Sequence, residues 1–130
     1  MNKYSQLSHT HFQNRLWRNE LEMMQKETDF FLNIVEEIGS LENNARNKEQ
    51  EWYINQFHHF QRLTKQLSGE LTNIEKGLAD GVISERILDK EQRLDQQYFK
   101  EEMDYFEQDY RSVKTKFRTF IANSDTIGID

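Results

Sequence analysis

The chain has 130 residues, 35% of them hydrophobic and 31% charged. It is therefore leaner in apolar residues and richer in charge than an average domain, and its length predicts one thin, surface-rich domain. It contains no cysteine, which excludes disulfides, thiolate catalysis and cysteine-ligated metals, and its net charge of −6 argues against a general nucleic-acid binder. Nine phenylalanines, five tyrosines and two tryptophans argue against disorder.

Taken in order, the chain reads as three amphipathic helices. The segment to Leu7 has no pattern, and Ser8 or Thr10 is the expected N-cap of the first helix, Thr10 standing in capping-box spacing to Gln13. From Trp17 through Leu21, Met24, Thr28, Phe31 and Val35 to Ile38 the apolar positions step by alternate fours and threes, which puts them on one helical face. This predicts a helix over about 8–38, closed by Gly39 in a left-handed C′ position. The same step runs from Tyr53 through Phe57, Phe60, Thr64, Leu67, Leu71 and Ile74 to Leu78, predicting a second helix over 44–79 that starts near Asn44. Asp80-Gly81 reads as a turn and Ser84 as the cap of a third helix over 85–122, carried by Phe99, Met103, Phe106, Tyr110, Val113, Phe117 and Phe120. The tail from Asn123 to Asp130 is expected to fray.

Three apolar stripes joined by short turns predict an all-α, antiparallel up-down-up bundle, elongated and coiled-coil-like, with Phe31, Leu67 and Phe106 deep in its core. The layout, three long helices with a tryptophan in the first, resembles a spectrin-type repeat in periodicity and size. No apolar run approaches the ~20 residues of a membrane span, and no basic segment followed by a hydrophobic one opens the chain, so a cytoplasmic protein without membrane contact is expected.

A second stripe runs beside the first: Leu16, Met23, Phe30 and Ile34, then Trp52 and Leu63, then Tyr98 and Tyr105. In a three-helix bundle each helix touches two neighbours, and most of this widening belongs to the core. Any surplus offers a contact for a protein partner or a second copy, with Phe30, Trp52 and Tyr105 the interface candidates and a two-fold homodimer the simplest form.

Four polar residues interrupt that second stripe: Glu20, Glu27, His59 and Glu102. Folding about the expected turns pairs positions summing to about 83 between helices one and two and about 165 between two and three, which brings Glu20, Leu63 and Glu102 to one level, with His59 about a turn away and Glu27 a turn beyond that. Carboxylates and an imidazole in such a cluster are the chemistry of a metal or acid/base site. Satisfied polar contacts at the bundle edge are the plainer expectation. The duplicated Glu-x-x-His of di-iron bundles does not occur, nor does His-Glu-x-x-His, a phosphate loop or a Gly-x-Ser-x-Gly elbow. Arg111, Lys114 and Arg118 share a face fit for an acidic partner or phosphate, and read more simply as charges complementing a helix C-terminus. The resulting expectation is a non-enzymatic bundle without cofactor or resident metal, acting by protein–protein contact as scaffold, adaptor or self-associating unit. A bundle that binds metal or a small molecule at the Glu20/Glu27/His59/Glu102 positions is the alternative.

Overall fold

A computed structural model describes residues 3–41, 48–83 and 90–123. Three α-helices account for nearly all of them: α1 (Lys3–Leu41), α2 (Lys48–Ile83) and α3 (Lys90–Ala122). At 1.5 Å per residue they are roughly 58, 54 and 50 Å long, so the bundle is a rod. The residues of the primary stripes interdigitate to form its core. Phe57, Phe60, Phe99, Phe117, Leu21, Val35, Ile38, Leu71 and Met103 are sealed from solvent, and Phe31, Leu67 and Phe106 are buried among them. Among the described residues no helix is long and apolar enough to cross a membrane.

The first two helices outrun their expected stops, whereas α3 ends at Ala122 as expected. Ser8 and Thr10 lie inside α1, which begins at Lys3, and Thr10 is buried instead of capping. Gly39 continues α1 to Leu41, and Ala79, Asp80 and Gly81 continue α2 to Ile83. Once a long helix is nucleated, each further residue adds a hydrogen bond, and one glycine costs only ~1 kcal/mol, so without proline it does not end the helix. Asn44 and Ser84, with the tail after Asn123, lie outside the described residues.

These extensions move both turns along the chain and reset the register. Arg18 meets Glu75, Asp29 meets Gln61, and the Phe31 ring packs tilted against Phe57, so α1/α2 partners sum to about 90. Tyr53 against Phe117 and Phe60 against Tyr110 place α2/α3 partners at about 170.

The bundle is not evenly spaced. The α1 and α2 backbones pack closely and α2 and α3 less so, whereas α1 and α3 stand furthest apart. Large side chains bridge that gap, with Trp17 5.0 Å from Phe99 and Phe31 5.2 Å from Phe117 between ring centroids. The aromatic content of the sequence thus sets the width of the groove between α1 and α3.

Both ends of the core are polar. Stepping back from Trp17 reaches Asn14 and Thr10, from Tyr53 Gln50, and from Phe99 Gln96 and Gln92. Asn14 and Gln50 are each only 1% exposed. Gln96 Nε2 donates to Asn14 Oδ1 at 2.6 Å and Gln92 Nε2 to the Gly77 carbonyl at 2.9 Å, while Asn14 Nδ2 and Gln96 Oε1 are buried without a partner. Such directional pairs favour one α1/α3 alignment over others that would bury the same hydrocarbon.

Candidate functional site

Two grooves flank α3. The first, between α1 and α3, encloses about 290 Å³ and is lined by Glu20, Met23, Met24 and Glu27 from α1 and Glu107, Tyr110, Arg111 and Lys114 from α3. Glu27 is its anchor. Its carboxylate accepts from the Tyr110 hydroxyl at 2.5 Å and from Lys114 Nζ at 2.9 Å. Burial works to raise the Glu27 carboxyl, but the hydrogen bonds from Lys114 and Tyr110 and the charges of Lys114 and Arg118 outweigh it, and the net result lies below the ordinary value. Tyr110 is raised in turn, by burial and by its bond to the carboxylate.

One to two turns from Glu27, Glu20 and Glu107 face each other within hydrogen-bonding reach. Burial first, and Glu20 second, push the Glu107 carboxyl from 4.5 up to about 7, so that near neutrality it is partly protonated. Glu20 Oε2 is buried without another hydrogen-bond partner, and a Glu107 proton supplies the donor it lacks. Arg111 opposes the shift weakly, its guanidinium 3.8 Å from Glu107 and largely in water.

The second groove, between α2 and α3, encloses about 650 Å³ and is lined by Leu63, Leu67, Glu102, Tyr105, Phe106, Gln108 and Asp109. Glu102 is raised by burial and then by Glu70, a second carboxylate facing it across the groove. Trp52 lies towards one end of this face, with Lys116 Nζ 5.7 Å from its ring.

The four polar candidates are thus divided among different surroundings. Glu20 meets Glu107, Glu27 meets Tyr110 and Lys114, Glu102 meets Glu70, and His59 is exposed beside the Phe60 ring. Among the described residues no group of three or more histidines and carboxylates is disposed to hold a metal ion. Against α2 the expected level fails because the expected turn comes too early: with a sum near 90, Glu20 lies level with Glu70, not Leu63. Against α3 it holds, since Asn14 meets Gln96 and Trp17 meets Phe99, so Glu20 and Glu102 share a level but occupy different faces. Glu107 escaped notice because its spacing to Arg111 reads as an ordinary surface pair, and only the register reveals what it faces. Of the basic trio, Lys114 is committed to Glu27, whereas Arg111 and Arg118 are exposed.

The second stripe also divides. Ile34 and Leu63 pack against the core. Leu16, Met23, Phe30, Trp52, Tyr98 and Tyr105 remain exposed, and Phe12 and Leu94 join them. Phe30 stands with Phe12, Leu16 and Met23 along one edge of α1, whereas Tyr105 and Trp52 belong to the α2/α3 side. The three interface candidates therefore occupy two faces.

Compared with known protein families, curated proteins and solved structures, the chain matches none.

Proposed function

We propose that this chain is a non-enzymatic interaction module that associates with a second copy of itself through α1. The observation that carries the reading is a line of four large apolar side chains, Phe12, Leu16, Met23 and Phe30, each 58–62% exposed. Spacings of four, seven and seven keep them within one narrow strip of the helix surface.

The spacing is also self-complementary. Phe12 and Phe30 lie equally far on either side of Leu21, so an antiparallel pairing centred there sets Phe12 of each copy against Phe30 of the other. Met23 of the second copy then falls at the level of Asn19, and its Leu16 at the level of Lys26. These fill the two gaps in the strip, and the joint seam has an apolar group at levels 12, 16, 19, 23, 26 and 30, the four-three alternation of a packed helix pair. The four side chains expose roughly 400 Å² per copy, on the order of 800 Å² for the pair before flanking residues are counted, which approaches the lower end of specific interfaces. Glu22 of each copy lies close to its counterpart in this pairing, so the association is expected to be modest and to strengthen with salt.

Light scattering across a micromolar dilution series tests the reading. The expected mass rises from one chain to two with concentration, and Met23→Lys holds it at one without loss of helix signal. A monomeric mass throughout the series, or a dimer indifferent to both Met23→Lys and Phe30→Lys, overturns it.

A further inference from the structure

The α2/α3 groove has a different character from the α1 strip. Its floor is apolar, from Leu63, Leu67 and Phe106, its rim carries Glu102 and Asp109, and no lysine or arginine lines it. Glu70 adds a third carboxylate opposite Glu102. Among the described residues none of these three acids is ion-paired. Tyr105 stands over the groove 76% exposed, and Tyr98 and Leu94, seven and eleven residues earlier, extend the same side of α3 at 59% and 43%. The basic residues Arg111 and Lys114 line the opposite groove instead. Where it lines the two grooves, α3 thus presents bases towards α1 and acids with aromatics beside α2, Lys116 lying further along over Trp52.

We infer that the α2/α3 groove docks a basic amphipathic helix of a partner protein, its apolar side chains seated on Leu63, Leu67, Tyr105 and Phe106 and its lysines or arginines meeting Glu70, Glu102 and Asp109. Charge complementarity selects this occupant. Uncompensated carboxylates facing each other repel, and a cation between them turns that repulsion into attraction, so a basic helix gains at this surface what an acidic one loses. The apolar floor requires that the cation arrive on an amphipathic scaffold, since a free polyamine or a hydrated metal ion would leave Leu63, Leu67 and Tyr105 uncovered. A second copy offering its α1 strip is the weaker match, because Glu20, Glu22 and Glu27 flank that strip and would meet the acidic rim.

The test uses the full chain and two fluorescent synthetic helices with the same leucine stripe, one with lysines and one with glutamates on its polar face. Anisotropy is expected to give micromolar binding of the lysine peptide that weakens with salt, and no binding of the glutamate peptide. In Glu102→Gln/Asp109→Asn the affinity should fall at least tenfold. Tyr105→Ala, which alters an exposed side chain and leaves the core intact, should also weaken it. Amide shifts in labelled protein should centre on α2 and α3 around residues 63–70 and 102–109. Equal binding of both peptides, affinity unchanged in both variants, or shifts centred on the α1/α3 groove would each overturn the inference. Light scattering on the same samples separates it from self-association: a dimer that ignores the lysine peptide removes the groove assignment alone, and a monomer that binds the peptide removes only the α1 reading.

Discussion

Replacing Glu107 with glutamine should stabilise the fold at high pH and do little at low pH. In the folded chain the carboxyl titrates at about 7 rather than 4.5, lifted by burial and by Glu20, and its side chain is only 22% exposed. Below the unfolded value both states hold the proton and no penalty exists. As the pH rises, the unfolded chain releases its proton while the folded chain keeps it, so stability declines until the folded group ionises near 7. At about 1.36 kcal/mol per pH unit, the lift from 4.5 to about 7 corresponds to a loss on the order of 3 kcal/mol, an upper figure because Glu20 and Arg111 adjust as the charge appears. Glutamine keeps an N–H for Glu20 and cannot ionise, so it is spared this loss. Glu27 acts in the opposite sense: its lowered carboxyl stabilises the fold above the usual carboxylate range and is lost on acidification, but it is common to both proteins and cancels in their difference. Urea unfolding followed by circular dichroism, for both proteins from about pH 4 to about pH 8.5, reads that difference directly. It should be near zero at the acid end, grow in favour of Glu107→Gln between the two values, and level off above 7. A difference that stays flat across the window, or that grows in favour of the native residue, would refute the pairing of Glu20 with Glu107.

Two further predictions concern the frame of the bundle. Gly69→Ala should add about 1 kcal/mol of stability and raise the melting temperature by about 3–5 °C, because the new methyl meets nothing within 4 Å and removes backbone freedom from the unfolded chain; calorimetry decides, and a lowered melting point would contradict the open site. Asn14→Leu should cost about 1–3 kcal/mol by leaving half-buried Gln96 without its acceptor, whereas Asn14→Leu/Gln96→Leu should regain most of that loss, a coupling that a double-mutant cycle in urea measures and that additive losses would disprove.

The core was legible because one signal repeats. The four-three step holds over seven or eight positions in each helix, and a side chain out of phase would face water, so burial at Phe31, Leu67 and Phe106 followed from spacing alone. The same step, carried backward past Trp17, Tyr53 and Phe99, reaches Asn14, Gln50 and Gln96. Their polarity hid them, although their phase marked them as interior. Which of the flanking apolar residues would be covered was not legible. Ile34 and Leu63 are tucked in while Phe30 and Tyr105 are not, and the difference depends on how far apart the helices stand, which large aromatic rings set and a helical wheel does not contain.

The site depended on register, and register depends on where helices end. Gly39 and Asp80-Gly81 carry local turn chemistry, yet both lie inside helices, since one unfavourable residue cannot outweigh a long hydrogen-bonded run without a proline to break it. An error of three or four residues at a turn is doubled in the partner sum. It put Glu70 in place of Leu63 at the level of Glu20, while the two turn errors cancel between α1 and α3 and leave Glu102 at that level, turned towards Glu70, with Glu107 facing Glu20. The stripes tolerated the error because an apolar face remains apolar when it slides by a turn. Charged contacts did not, because each carboxylate has one counterpart, and a turn of displacement exchanges an imidazole for another acid. The composition of a core can therefore be read from periodicity, whereas the chemistry of a groove between two helices requires their alignment.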